Sequence, residues 1–489
     1  MKSEFAHINR VTDKVTIIDK PCGFGKSSTL IKEIKDNPDK PYLIIVPLLS
    51  EIKRFTDAIP HLTEPDLSDS DSKFDHLQTL LIDGESIITT HALFNRVREL
   101  DHLLHQYHII IDEMPSVICG AEIKHCGKAT VDVLLKEEYI KLGKANKVTI
   151  TNKGLQLLLR NRDDKNKDTV SVALNYVMTN ETYLDSGSIF ITLAPEELFT
   201  SSKSTKILTF LFEGSYLQGY LDYKEIEYIH EVDKAERKIF KKQMNKHLTI
   251  IKPFKELSCS YSKLNKLRPS KMKPILQEHL GISDDKSIVV TTKEYESIIL
   301  ESNTIADGDA DYSELIKDAD INIWLPNVTR GTNDYIAYSS MIYLYKQSLN
   351  PVLKRHLGMT DKMNLQYRVS EMIQVIYRGC IRKSYDDVTC DTEKDMKFIT
   401  PDSDSYEALL MYLGRKQELE EWRSRNDNTD DWTKLSAQQR KDIQRALVKF
   451  NDKVKVGGTL TPKQKGKAVK WINFVGGIDN LEQYLKANS

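Results

Sequence analysis

The sequence predicts an α/β protein with two parallel-sheet lobes and a small α-helical domain at its C-terminal end. Short β-rich runs alternate with helical patterns over about the first 120 residues and again from residue 287, which is typical of parallel sheets covered by helices. After Gly414 no strand pattern remains. The length of 489 residues is that of about three domains. We therefore expect lobes over 1–232 and 276–404 and a helical domain over 405–489.

The strands are predicted from short apolar runs rich in β-branched residues. Between the two groups of first-lobe strands, from about 125 to 187, charged helical patterns without a clear strand order predict a helical insertion. The strands of the first lobe are expected at 15–19, 42–46, 86–89, 107–111, 189–192, 207–212 and 225–229, and those of the second lobe at 287–291, 320–324 and 396–400.

The charge of the chain is balanced in total but unevenly distributed. Lys and Arg number 70 against 71 Asp and Glu, yet 233–273 carries a net charge of +10 and 434–489 one of +8. We interpret 233–275 as a basic linker between the lobes, and such segments favour polyanionic partners. No apolar run approaches the roughly 20 residues of a membrane span, and the six scattered cysteines indicate a reducing compartment. We expect a cytoplasmic protein without a membrane partner.

A glycine-rich loop between the first predicted strand and the first predicted helix is the strongest local signal. Backbone N–H groups of such a loop and a helix N-terminus bind phosphate, a Lys reaches the outer phosphates and a Ser ligates Mg²⁺. Lys20 stands where the strict pattern has Gly, and an ordinary βα turn is the alternative. We expect ATP and Mg²⁺ as cofactors, with binding residues Cys22, Gly23, Phe24, Gly25, Lys26, Ser27 and Ser28.

Two adjacent acids, Asp112 and Glu113, follow the apolar run at 107–111. Ligands of open α/β sheets bind beyond the carboxyl ends of the strands. We expect Asp112 to hold Mg²⁺ and Glu113 to orient or deprotonate an attacking water. Helix capping would explain such a pair alone, but its position about 85 residues after the glycine loop makes the combination far more specific.

With these motifs in this order, the sequence resembles the superfamily 2 helicases, which have two RecA-like P-loop lobes. Pro47 follows the second predicted strand and Thr89-Thr90-His91 follows the third, and both segments are similar to nucleic-acid backbone contacts of that superfamily. Hydroxyl and main-chain N–H groups at strand ends suit phosphate contacts. The resemblance therefore implies nucleic-acid binding by Pro47, Thr89, Thr90 and His91, although His91 alone could be a turn histidine.

The second lobe contains a stretch, Thr329-Arg330-Gly331, that resembles an element lying between ATP and nucleic acid in the same superfamily. The resemblance implies that Thr329 and Arg330 contact nucleic acid, together with Thr291 at the end of the first strand of this lobe. It implies that Gly331 contacts the nucleotide.

Gln374, Arg378 and Arg382 recur every four residues, which predicts one face of one helix. The pattern resembles the arginine-finger element, in which a fixed guanidinium stabilises charge on the transferring phosphoryl group. We expect all three residues to be catalytic, with Arg382 preferred over Arg378 as the finger. A basic solvated helix face is the alternative.

A segment that couples the ATP site to nucleic acid is expected in the first lobe. The preferred candidate is 208–215, because a helix and then a strand follow it, and the competitor is 191–195. Neither matches the superfamily pattern.

The basic tail contains a predicted helix with Lys463, Lys467 and Lys470 on one face. Such lysines add sequence-independent, salt-dependent affinity for nucleic acid. A helical tail that packs on the lobes is the alternative interpretation.

These motifs predict an ATP-dependent nucleic-acid helicase or translocase with nucleic-acid-stimulated ATPase activity. The second half resembles helicases encoded by bacteriophages, and on that basis we expect DNA rather than RNA, replication or recombination proteins as partners, and the host bacterial cytoplasm. Two alternatives stay open. A phage DNA-packaging motor would share the glycine loop and acidic pair but carry a nuclease domain, and an ATP-dependent switch would use its basic segments to bind a protein partner.

Overall fold

The structure is a computed structural model of the chain. The chain divides into two compact units, Met1–Leu409 and Leu410–Ser489. The structure describes residues 15–21, 23–67, 72–94, 100–121, 127–160, 169–251, 257–264, 266, 287–292, 321–326, 335–382, 395–426, 437–472, 475 and 478–487.

An all-parallel sheet of six strands forms the first lobe. Its strands are β1 (Val15–Asp19), β2 (Tyr42–Val46), β3 (Ile87–Thr90), β4 (His108–Asp112), β10 (Ser204–Thr209) and β11 (Tyr228–Val232). The strand order is β11-β1-β10-β4-β2-β3. The late strand β10 therefore lies between the strand before the glycine loop and the strand that ends at Asp112.

The strands β2 and β4 are buried on both faces, which explains why they are nearly continuous apolar runs. Leu43 and Ile45 belong to one core cluster, and Ile44 and Val46 belong to the cluster on the other face, as the alternation of side chains along a strand requires. The helices of this lobe are α1 (Lys26–Lys35), α2 (Leu49–Ala58), α3 (Lys73–Asp83), α4 (His91–Phe94), α8 (Glu197–Thr200) and α9 (Tyr216–Tyr223).

The insertion expected to be helical also contains strands. A five-stranded antiparallel sheet has the order β5-β9-β8-β7-β6. The strands at 140–142, 147–150 and 181–185 are short, and their charged residues hide an apolar period. Ser186 and Gly187 provide the two positive φ angles of a tight hairpin turn. The elements are β5 (Ile118–Ala121), α5 (Lys128–Lys136), β6 (Ile140–Leu142), β7 (Lys147–Ile150), α6 (Asn152–Arg160), α7 (Thr169–Thr179), β8 (Glu181–Asp185) and β9 (Ile189–Leu193).

The second lobe contains a parallel sheet of five strands. They are β12 (Leu248–Ile251), β13 (Ser287–Thr291), β14 (Ile321–Pro326), β15 (Ser340–Tyr343) and β16 (Met396–Ile399), in the order β12-β16-β15-β13-β14. Its helices are α10 (Lys234–His247), α11 (Tyr261–Leu264), α12 (Pro351–His356), α13 (Asp361–Ile376) and α14 (Ser403–Leu413).

The expectation of a plain linker at 233–275 differs from the structure. Asp233 caps α10 by accepting hydrogen bonds from Ala235 N and Glu236 N, and the helix leads directly into β12, which pairs with β16. The high charge obscured this helix, because lysines cover its exposed side while Phe240 and Met244 are buried.

The segment around α12 joins the core of the first lobe. Leu353 and Met359 are in the same apolar cluster as Leu217 and Tyr220. An ion pair of Arg355 Nη2 with both carboxylate oxygens of Asp185, at 2.8 Å each, lies at this contact. The two halves of the first compact unit therefore share buried surface away from the glycine loop.

The C-terminal unit has its own small core, formed by residues such as Leu447, Trp471 and Leu481. Thr461 begins α17 with a capping box to Gln464. Its helices are α15 (Lys416–Asn426), α16 (Ala437–Lys455), α17 (Pro462–Trp471) and α18 (Asp479–Ala487). The predicted fold class, two RecA-like parallel-sheet lobes followed by α-helices, is confirmed.

Candidate active site

The glycine loop leads into the N-terminus of α1. Gly23 and Gly25 have φ angles of 81° and 72°, a left-handed conformation that favours glycine. No side chain caps α1, so the N–H groups of its first turn lack a side-chain acceptor. An anion placed there would accept hydrogen bonds from this turn.

Lys26 spans the loop. Its Nζ donates to Lys20 O at 3.0 Å, so the ammonium lies inside the curve of the loop rather than in the solvent. Ser28 is exposed, one residue further along α1. A phosphate group in this space would meet the charge of Lys26 directly.

Ser27 in the first turn of α1 and Asp112 at the end of β4 are brought together. Ser27 Oγ donates to Asp112 Oδ2 at 3.2 Å. Burial raises the pKa of Asp112 to about 6, and the charge of Glu113 adds to the rise, against the lowering effects of Lys26, Arg54 and the Ser27 hydrogen bond. A serine hydroxyl and an aspartate side by side form the protein part of a Mg²⁺ site in P-loop enzymes, so these residues fit that ion.

Glu113 has a φ of 67°, which is unusual for a residue with a side chain. Such a conformation costs of order 1 kcal/mol or more and persists where the surroundings hold it. This backbone conformation turns the chain immediately after β4, so Glu113 does not continue the extended strand that ends at Asp112.

His91 contacts the acidic pair. Its Nε2 lies 2.9 Å from Asp112 O, and Thr90 Oγ1 accepts a hydrogen bond from Leu93 N at 3.4 Å. Thr89 and Thr90 also line a cleft of about 290 Å³ together with Leu49. The 89–91 segment therefore connects this cleft with the strand that carries Asp112, while Pro47 is half-buried after β2.

The expectation that Gln374, Arg378 and Arg382 share one helix face is wrong. Helix α13 ends at Ile376, and Cys380 N donates to Tyr338 O at 2.9 Å instead of continuing the helix. Gly379 permits this turn, since a Cβ there would lie 2.6 Å from Met396 Cε. Only Gln374 is on the helix, Arg378 is buried, and Arg382 is half-buried.

The end of α13 reaches the glycine loop through an aromatic side chain. A Cβ on Gly23 would lie 2.5 Å from Tyr377 Oη, so a larger residue does not fit. The ring of Phe240 lies 5.3 Å from that of Tyr377 and 6.4 Å from that of Phe24, between centroids. The second lobe therefore contacts the glycine loop next to the turn that carries Arg378.

The preferred coupling segment lies between the lobes. Gln374 Nε2 donates to Ser370 Oγ at 3.0 Å, and Ser370 Oγ donates to Phe210 O at 3.4 Å. The competitor, 191–195, overlaps β9 of the insertion sheet instead. The 208–215 segment thus contacts α13 of the second lobe, and its coupling role stays a prediction.

The remaining predicted residues have no described contact at this site. Thr291 is buried at the end of β13, and its Oγ1 has no hydrogen-bond partner among the described residues. Lys467 and Lys470 are exposed on α17, which Lys463 also begins. Cys22, Thr329, Arg330 and Gly331, as well as the side chain of Lys463, lie outside the described residues.

A buried charge cluster beside the site was missed in the sequence. Asp19, the last residue of β1, is fully buried and accepts hydrogen bonds from His230 and Arg237. An acid at the end of an apolar strand was a visible signal for Asp19. Nothing marked Arg237, because the two residues are 218 positions apart.

The structure brings the glycine loop and Asp112 together through Ser27, and Tyr377 of the second lobe lies beside Gly23. The chain therefore has two parallel α/β lobes that meet beside its glycine loop.

A family model described as the YonV C-terminal Rossmann-like domain matches residues 226–390. The chain is also similar to the SPbeta prophage-derived uncharacterized protein YonV of Bacillus subtilis (strain 168), with 24% identity over 412 residues, which is 76% of this chain and 94% of that protein. The match includes the second lobe and links the chain to a prophage protein.

The chain is similar to several solved structures. An apo XPD structure covers 83% of this chain and 96% of its own, with 13% identity and a TM-score of 0.46. S. cerevisiae Dbp5 bound to RNA and ADP BeF3 covers 83% and 84%, with 12% identity and a TM-score of 0.36. The helicase MrfA bound to DNA and AMPPNP covers 82% and 48%, with 11% identity and a TM-score of 0.33. These likenesses concern the fold alone.

Among the described residues, no helix has both the length and the apolar character that a membrane crossing requires.

Proposed function

We propose that the protein is an ATP-dependent nucleic-acid helicase or translocase. The observation that carries the proposal is the hydrogen bond of Ser27 with Asp112, beneath a glycine loop that Tyr377 of the second lobe also touches. A phosphate-binding loop and a metal-type ligand pair are parts that phosphoryl transfer needs.

In this proposal each residue acts on a defined part of the reaction. Lys26 and the first turn of α1 bind the phosphates, while Ser27 and Asp112 hold Mg²⁺, which supplies positive charge at the phosphates when bound. Glu113 orients the attacking water and accepts its proton. Arg378 or Arg382 stabilises charge on the transferring group from the second lobe, and Gln374 acts from the helix that precedes them. Closure of the lobes excludes water from the site.

Nucleic acid is proposed to bind along the strand ends near Pro47, Thr89 and His91. The contact of His91 with Asp112 O gives a short path from this surface to the acidic pair. Thr291, Thr329 and Arg330 would complete the path in the second lobe. The similarity to a prophage-derived protein supports DNA as the substrate and a role in the replication or recombination of a mobile element.

The test is the ATPase rate of the purified chain, with single-stranded and duplex DNA and RNA added in turn. We expect Lys26→Ala and Glu113→Gln to lower ATP turnover at least hundredfold, since each removes a group acting on the transferring phosphoryl. Lys35→Ala, an exposed lysine on the same helix, is the matched control and should retain turnover.

Strand displacement on matched DNA and RNA duplexes then separates the alternatives. ATP-dependent displacement supports a helicase. ATPase activity that nucleic acid stimulates, without displacement, supports a translocase. Full turnover in both variants, or turnover indifferent to every nucleic acid, would refute the proposal and return the question to a packaging motor or a switch.

A further inference from the structure

Asp19 is a buried carboxylate that four donors surround. It is fully buried at the end of β1, one residue before the loop begins. Leu211 N donates to Oδ1 at 3.0 Å and Phe212 N to Oδ2 at 2.8 Å. His230 Nε2 lies 3.1 Å and Arg237 Nη2 2.6 Å from Oδ2. A buried charge with this many partners is satisfied, and removing a partner is costly.

Arg237 binds a second carboxylate with the same guanidinium. Its Nη2 is 3.2 Å from Glu213 Oε2, and its Nη1 is 3.4 Å from Glu213 Oε1. Asp19, Glu213 and His230 have the spacing of metal ligands. However, the guanidinium already supplies the positive charge between these two carboxylates. We therefore interpret the cluster as an ion-pair network and not as a metal site.

The network joins three segments of the chain. Asp19 belongs to the strand before the glycine loop, Glu213 to the 210–215 segment, and Arg237 to α10. The 210–215 segment contacts the second lobe through Ser370, and α10 continues into the edge strand of the second sheet. A salt bridge also joins Lys20 Nζ to Glu236 Oε1 at 3.4 Å.

Surrounding contacts maintain an unfavourable backbone conformation at Leu211 in the 210–215 segment. Its φ of 57° is unfavourable for a leucine, and such backbone persists where surrounding contacts over-determine it. The hydrogen bonds from Leu211 N and Phe212 N to Asp19 provide that restraint. The position of the 210–215 segment therefore depends on the same carboxylate that Arg237 holds.

We propose that Arg237 is a positioning residue that couples the second lobe to the ATP site. It locks α10 and the 210–215 segment against the strand end before the glycine loop. A shift of the second lobe on nucleic-acid binding is thereby transmitted to Lys20, whose carbonyl accepts from Lys26. This inference rests on the proposed function, since it concerns the nucleic-acid stimulation of ATP turnover.

The test compares kcat for ATP with and without single-stranded DNA, alongside the Kd of a fluorescent ADP analogue. Glu213→Gln is the first variant, because it keeps the buried Asp19–Arg237 pair and so keeps the fold. Arg237→Lys is the second, since a single ammonium group cannot bind two carboxylates as the several donors of a guanidinium group do. We expect each to lose at least fivefold in stimulated kcat, with the analogue Kd changed less than twofold. Glu231→Gln and Lys238→Gln, both exposed nearby, are matched controls.

A double variant excludes a purely structural role. Arg237→Gln alone leaves the Asp19 charge unpaired, which lowers stability, whereas Asp19→Asn with Arg237→Gln removes both charges. We expect the double variant to regain thermal stability but not stimulation. Recovery of stimulation in it, or wild-type stimulation in Glu213→Gln and Arg237→Lys, would overturn the role of Arg237. Absence of stimulation of the wild-type chain by single-stranded DNA and by every other nucleic acid would instead refute the proposed function.

Discussion

Two aspartates end strands of the same sheet, yet their environments shift the pKa of the two carboxyl groups in opposite directions. Asp19 ends β1 and Asp112 ends β4, with only β10 between the two strands. Both are buried. Burial alone raises the pKa of Asp19, but the hydrogen bond of His230 and the charge of Arg237 hold its pKa below the ordinary value. Burial and the adjacent Glu113 raise the pKa of Asp112.

The difference lies in the donors that each carboxylate receives. Two backbone N–H groups, a histidine and an arginine surround Asp19, whereas Ser27 donates to Asp112 and Lys26 and Arg54 act on it through charge. Since a carboxylate with satisfied hydrogen bonds favours its ionised form, Asp19 suits a structural anchor. Asp112 carries charge at a position where a cation would stabilise it, which suits a metal ligand.

The contrast between Asp19 and Asp112 predicts that the largest effect is on ATP turnover. Asp112→Asn should lower ATP turnover at least hundredfold, because an amide is a poor ligand for Mg²⁺. The variant should unfold at the same temperature as wild type or slightly higher, since it removes an unfavourable buried charge. ATPase rate at saturating Mg²⁺ and thermal unfolding check the two parts. Substantial turnover would exclude Asp112 as the ligand.

Asp19→Asn should have its main effect on stability. The substitution removes the charge that Arg237 faces, and breaking such a pair costs about 2–3 kcal/mol for a partner with some solvent access. Urea unfolding of wild type, Asp19→Asn and Asp112→Asn measures the free energy of unfolding of each. If Asp19→Asn were as stable as Asp112→Asn, the proposed contrast between anchor and ligand would be wrong.

Stability should depend on pH through Asp112 when a chelator removes metal. Its folded pKa of about 6 lies above the ordinary 3.8. In this window the folded carboxyl keeps a proton that the unfolded chain has lost, so this group's contribution to stability falls as pH rises from about 4 to 6. Asparagine does not titrate. The stability of Asp112→Asn relative to wild type should therefore grow over this range and stay level above it, as urea unfolding at several pH values will show.

The smallest effect is expected from the tail. Lys467→Gln combined with Lys470→Gln should weaken nucleic-acid binding without changing kcat at saturating nucleic acid. The slope of log K against log salt should fall by about 0.7 per lysine for a single strand. Fluorescence anisotropy over a salt series measures this slope. The matched control is Lys136→Gln with Lys141→Gln, two exposed lysines of the insertion, and an unchanged slope in the tail variant would remove these lysines from the binding surface.

Much of the first lobe was predictable, because its strands are buried on both faces and leave continuous apolar runs. The runs at 42–46 and 15–19 coincide with β2 and β1. The strands at 147–150 and 181–185 were not predicted, since charged residues interrupt their period. The end of α13 was also missed, because the four-residue spacing of Gln374 and Arg378 continues past the point where Gly379 turns the chain.

The sequence by itself determined the order of the motifs and their places at strand ends, since local spacing and apolar runs encode both. It predicted the types of residue at the candidate site, whose chemical roles stay predictions. Tertiary structure alone decided that Arg237 reaches Asp19 and Glu213 and that Tyr377 reaches Gly23. These contacts join residues far apart in the chain, and a side chain carries no local mark of a partner that only the folding of two lobes brings near.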